Sequence, residues 1–235
     1  MSRLNILSGG AAQGLIGSLA PAFRAQTGFD IAGEFGAVGL MADKLRSGTP
    51  ADLVILTAAL VGRLAEERLV VPSSVSDVGL VETALAVRTD DPKVVVTDTA
   101  SLRESLRGSD AIFVPDTKAS TAGIHVAKVL ERLGIADEVA SRLKIFANGA
   151  TAMKHLAASD AKRPIGCTQA TEIISTAGVA LSGSLPSGYG LSTMYTAGVT
   201  TNGPNSTQAK ILIDLLAADD QRIWRLGAGF LDAQT

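Results

Sequence analysis

Two ionisable side chains, His125 and Glu172, each follow a short run of hydroxyl and amide residues at the expected start of a helix. That arrangement suits proton transfer on a bound anion. Ser120 and Thr121 precede a helix expected over 122–133, and His125 lies just past its first turn. The positive end of a helix disfavours an imidazolium, which leaves the ring able to accept a proton. Thr168 and Gln169 open a second helix, expected over 168–174, with Glu172 near its start as the reserve base. Gln169 can both donate and accept, so it can read a carboxylate or a hydroxyl. N-capping alone would equally explain Ser120, Thr121 and Thr168, and Glu172 suits a helix start without any function.

Two further segments supply backbone rather than side chains. Residues 3–24, RLNILSGGAAQGLIGSLAPAFR, run from a buried strand through two glycines into a helix with Leu15, Ile16, Leu19 and Phe23 on one face. Ser8, Gly9, Gly10, Ala11 and Gln13 therefore form a cradle of backbone N–H groups that suits an anion. Ala37, Val38 and Gly39 open another helix with small or apolar residues, and Thr57 follows a strand and offers a hydroxyl. Here too the plain roles suffice: chain freedom for the glycines, close packing for the small residues, a helix cap for Thr57.

Positioning these loops requires alternating strands and helices. Strands are expected near 4–7, 31–35, 52–56, 83–87, 111–114, 144–146 and 165–167. Amphipathic stretches fall between them near 38–46, 59–67, 101–106, 122–133 and 151–157, and two more helices, near 206–217 and 219–226, close the chain. This alternation predicts an α/β fold with open, mostly parallel sheets, whose ligands sit beyond the carboxyl ends of the strands. Residues 182–205 are rich in Gly, Ser, Thr and Pro and read as loops with one strand near 191–196.

Composition narrows the function. The 235 residues are 46% hydrophobic, enough for one large domain or two small ones, and no apolar run is long enough to span a membrane. A net charge of −2 with 4% aromatic residues argues against a nucleic-acid surface. Cys167 is the single cysteine, which excludes an internal disulfide and cysteine-rich zinc frameworks. There is no metal-ligand cluster, Walker lysine or nucleophile elbow, so no metal and no cofactor is expected. No leader-like segment precedes the first strand, which predicts a cytoplasmic protein if Met1 is the natural start and a periplasmic one if a leader has been removed.

Four segments in order carry a family resemblance: the opening strand–SGGAAQG–helix, FGAVGLMADKLRSGTPADLVILTA (35–58), STAGIHVAKVLERLGIADEV (120–139) and IGCTQATEI (165–173). Together they resemble the molybdate-binding-protein family of ABC-transporter receptors, a branch of the type 2 periplasmic binding proteins. The resemblance implies two α/β lobes with a hinged cleft that closes on an anion. Lobe 1 would hold 1–82 and 198–235 and lobe 2 would hold 83–197, with crossovers near 81–86 and 193–199. The family's molybdate binders carry hydroxyl residues in the first two loops, where this chain has Ala11 and Gly36-Ala37-Val38-Gly39. A hard oxyanion would lose two charge-assisted hydrogen bonds here, each worth ~1.5–3 kcal/mol, and a carbon skeleton would fit better. The IGCTQATEI segment looks closer to a divergent branch of enzymes, aconitate isomerase among them, that act on small unsaturated carboxylic acids.

Two functions are thus expected. The first is a cofactor-independent isomerase that shifts an allylic proton on a small di- or tricarboxylic acid. The second is a non-catalytic anion receptor of an ABC transporter. Either takes a small anionic ligand, with no nucleic acid and no membrane partner.

Overall fold

A computed structural model describes residues 2–232. In chain order the strands and helices are β1 (Arg3–Gly9), α1 (Gln13–Thr27), β2 (Asp30–Gly36), α2 (Val38–Arg46), β3 (Leu53–Thr57), α3 (Ala58–Glu66), β4 (Ser76–Arg88), α4 (Thr99–Gly108), β5 (Ala111–Pro115) and α5 (Thr121–Arg132). They continue with α6 (Ala136–Val139), β6 (Leu143–Phe146), α7 (Gly149–Ala157), β7 (Pro164–Gln169), α8 (Ala170–Ile174), β8 (Val179–Ser184), β9 (Ser192–Val199), α9 (Ser206–Ala217) and α10 (Arg222–Gly227). The chain divides into two compact units, one of Met1–Val81 with Thr193–Thr235 and one of Glu82–Ser192. It leaves the first unit within β4 and re-enters it at the start of β9.

In the first unit the sheet order is β2-β1-β3-β9. β1 pairs parallel with β2 and β3, and β9 returns antiparallel to β3. Leu4, Ile6 and Leu7 are buried, as in a parallel strand covered on both faces. Helix α1 ends at Gly28, whose φ of 74° is the left-handed cap that suits glycine. Asp52, fully buried, fixes where the returning chain packs. Its carboxylate accepts the Asn5 N–H at 2.8 Å, the Asn205 N–H at 2.9 Å and the Asn205 side-chain amide at 3.2 Å. One charge thereby joins β1, β3 and the residue that precedes α9, and α9 packs on α1.

In the second unit the order is β4-β7-β5-β6, with β8 also pairing β4. β5 lies parallel to β6 and β7, while β4 runs antiparallel to β7 and β8. Two expectations are corrected here. β7 runs on through Thr168 and Gln169, which pair with Ala84 and Thr83, so the helix starts at Ala170 rather than at 168. Residues 182–205 contribute the end of β8 and all of β9, and so two strands rather than one. In both places pairing with a neighbouring strand overrides local propensity.

Candidate functional site

The first unit collects three helix starts at the carboxyl ends of its parallel strands. β1 ends at Gly9 and passes through a 3-10 turn, Gly10–Ala12, into α1. Ala37 precedes α2 and Thr57 precedes α3. None of these starts has a side-chain cap, although Thr57 occupies the capping position. First-turn N–H groups have no partner inside their own helix, so these starts offer donors to an anion.

Individual side chains there contribute less than the sequence suggests. The Ser8 hydroxyl is fully buried and donates to the Gly9 carbonyl at 2.9 Å, which makes it part of the strand end. Ala11, Ala37 and Val38 are buried, Gly39 and Thr57 are half-buried, and Gln13 is exposed. Gly9 has an ordinary extended φ of −61°, so chain freedom is not its role. A Cβ there would lie 2.7 Å from Val38 Cγ1 and 2.8 Å from Tyr195 Cε1, so Gly9 is required by close approach. Tyr195, which sequence reasoning missed, pairs with Thr57 in the sheet and packs edge-on against Phe230 at 6.3 Å. β9 is buried continuously from Tyr195 to Val199, so no alternation in the sequence singles Tyr195 out.

In the second unit the loop after β5 is tied by Asp116, whose carboxylate accepts the Lys118 and Ala119 N–H groups at 2.7 and 2.9 Å. Ser120 then sits at the capping position of α5 without making the cap, and Thr121 is the first helical residue. The capping roles expected of Ser120 and Thr168 are therefore absent. His125 Nε2 lies 2.7 Å from the Tyr189 carbonyl, which can only accept, so Nε2 is the donor, and in the neutral ring Nδ1 is the acceptor. Arg132 donates to the Gly188 carbonyl at 2.8 Å and stacks 4.6 Å over the Tyr189 ring, holding the turn that orients His125. His155, exposed and stacked on Phe146 at 4.3 Å, has no comparable setting.

Glu172 occupies a place unlike that of a free base. Only 4% exposed, its carboxyl accepts the Thr168 hydroxyl at 2.6 Å and packs against Gly149 at the start of α7, a helix that Asn148 caps by accepting the Thr151 N–H at 2.8 Å. A Cβ on Gly149 would fall on the carboxylate and the Thr168 hydroxyl, so only glycine fits there. Burial pushes the Glu172 carboxyl up, and the Thr168 hydroxyl and the nearby backbone N–H groups of Gln169, Gly149 and Ala150 only partly oppose it. Thr168 and Glu172 stand four residues apart in the sequence, but Asn148 and Gly149 gave no sign of joining them. Cys167 is buried and its thiol is pushed up to about 12, so it has no nucleophilic role. Among the described residues no group of three or more His, Cys, Asp and Glu could hold a metal ion. No helix among them is long and apolar enough to cross a membrane.

Comparison with known proteins places this architecture. The family model for bacterial extracellular solute-binding proteins matches residues 4–230. Among curated proteins, an aconitate isomerase from a Pseudomonas species is 23% identical over 229 residues, covering 94% of this chain and 84% of that protein. Among solved structures, the Azotobacter vinelandii periplasmic molybdate-binding protein superposes with a TM-score of 0.81 at 18% identity, over 98% of this chain and all of that one. The sulfate-binding protein SubI of Mycobacterium tuberculosis gives 0.75 at 18% identity, over all of this chain and 88% of its own. At these identities the structural likeness establishes the fold alone.

Proposed function

This chain belongs to the bacterial extracellular solute-binding protein family, and from that premise we propose that it binds a small organic carboxylate and isomerises it by an allylic proton shift. The observation that carries the catalytic half is the His125–Tyr189 hydrogen bond, which holds the ring as one tautomer with Nδ1 as the acceptor. Nδ1 removes a proton from the carbon beside the ligand's double bond. The electron pair spreads over the allylic system onto a carboxylate oxygen, and the same imidazolium returns the proton to the far allylic carbon, which moves the double bond. The proton count is unchanged, and no cofactor enters. N–H groups at the uncapped start of α5, with Thr121 and the amide of Gln169, stabilise the developing oxyanion. The aconitate isomerase relative, matched over nearly the whole chain, supports this reading.

The second reading is a receptor that binds an anion without chemistry, and the molybdate- and sulfate-binding structural neighbours favour it. The family's extracellular members support a periplasmic location for the native protein under either reading. The deciding experiment is proton NMR in D2O with cis- and trans-aconitate, beside a thermal-shift screen that includes molybdate and sulfate. Isomerisation or solvent exchange of a carbon-bound proton supports the enzyme. His125→Ala should then lower turnover at least ~100-fold while the ligand still raises Tm. An oxyanion that raises Tm, with no carbon acid turned over, leaves the receptor.

A further inference from the structure

The second unit also carries a cavity beside the amino ends of β5 and β7, the opposite ends from those that lead to α5 and carry Thr168 and Gln169. It holds about 450 Å³, a volume ordinary for a small-molecule site. Val87, Val94, Pro164 and Ile165 give it an apolar floor, and all but the half-buried Val94 are buried. Its walls are tied in place. The Ser182 hydroxyl of β8 accepts the Val94 N–H at 2.6 Å and donates to the Val94 carbonyl at 2.9 Å. Opposite, the Asp110 carboxylate accepts the Arg163 N–H at 3.1 Å, and the Asp110 N–H donates to the Arg163 carbonyl at 3.1 Å. Gly108 stands on the wall without a backbone reason for glycine, because its φ is not left-handed. A Cβ there would meet nothing nearer than Arg163 Nη1, at 3.9 Å, so the missing side chain keeps the cavity open.

The charges around this cavity do not balance. Arg88 neutralises Asp91 through both carboxylate oxygens, at 2.7 and 3.0 Å, and Arg163 meets Asp110 at 3.4 Å. Lys93, Lys162 and Glu104 also line the cavity, and none has an ion-pair partner among the described residues. Two ammonium groups against one carboxylate leave a single positive charge. The negative end of α4, whose last turn forms one wall, is already covered, because Arg142 donates to the Arg107 and Ser109 carbonyls, both at 2.6 Å. We propose that this cavity is a second ligand site, which takes one carboxylate carried on an apolar body. The body covers Val87, Val94, Pro164 and Ile165, and the head group meets Lys93 and Lys162. A compact dianion would bring one charge too many and leave the apolar floor wet. The site shares no residue with the proton-transfer groups above, so it stands whether or not that reading holds.

The test is titration calorimetry on the whole chain at low ionic strength, with sodium octanoate as the probe. Sodium acetate supplies the charge without the body, and octan-1-ol the body without the charge. Octanoate should bind saturably, and each control at least ~tenfold more weakly. Lys93→Ala combined with Lys162→Ala should weaken octanoate about tenfold, the size expected for losing two exposed charges. Gly108→Leu, which extends a side chain into the open space, should weaken it by a similar factor. Lys93 and Lys162 are exposed, so the lysine variant leaves the core intact and carries the test should Gly108→Leu not fold. Octanoate that does not saturate the wild type overturns the proposal, as does a loss under about threefold in either folded variant, which places octanoate elsewhere. Acetate or octan-1-ol binding as tightly as octanoate overturns the ligand class.

Discussion

Replacing Gly149 by alanine adds one methyl group where the second unit has no room for it. Its Cβ would fall on the Glu172 carboxylate and the Thr168 hydroxyl. The side chain or the helix start must shift to make room, an overpacking cost at the upper end of the usual range, about 2–3 kcal/mol. Alanine's better helix propensity returns about 1 kcal/mol, which leaves a net destabilisation of about 1–2 kcal/mol. Urea unfolding followed by circular dichroism at pH 7 should show a lower midpoint with an unchanged slope. A double-mutant cycle sharpens the test, because Glu172→Ala makes room for the methyl. The loss from Gly149→Ala should shrink to under ~1 kcal/mol in that background, a positive coupling. A single variant as stable as wild type, or a cycle without coupling, would refute the account of this site.

Three further outcomes follow from other residues. Burial holds the Glu172 carboxyl above its ordinary value in the folded chain, so the folded state binds the extra proton between the unfolded and folded pKa values. Its contribution to stability is therefore full below the unfolded value of about 4.3 and declines as pH rises through the folded one, a slope that Glu172→Gln should lack in unfolding titrations. Asp52→Ala would strand the half-buried N–H groups of Asn5 and Asn205 and should cost about 2–4 kcal/mol, read as a fall in Tm. Gly9→Ala would press on Val38 and Tyr195 and should cost about 1–3 kcal/mol, with weaker binding of whichever anion the wild type takes, measured by calorimetry.

The sequence by itself determined the α/β alternation, the strand–glycine–helix opening and the loops that carry the candidate residues, because these depend on short-range periodicity. The burial of Leu4, Ile6 and Leu7 and the helix starts beyond Gly9, Ala37 and Thr57 were legible for that reason. Thr168 and Gln169 were read as helix because their types suit a helix start, but pairing with Ala84 and Thr83, 84 and 86 residues away, keeps them extended. Ser120 was read as a cap, a local inference, yet capping depends on a rotamer that packing selects. Glu172 was legible as an acid near a helix start but not as the neighbour of Gly149. Only the tertiary structure decided that, because Gly149 belongs to another strand–helix connection and no periodicity links the two. The same holds for Gly9, whose backbone is ordinary and whose need for glycine comes from Val38 and Tyr195 meeting above it. Local patterns record what each segment tends to form, whereas the chemistry of a site depends on which segments meet, and that is settled by long-range packing.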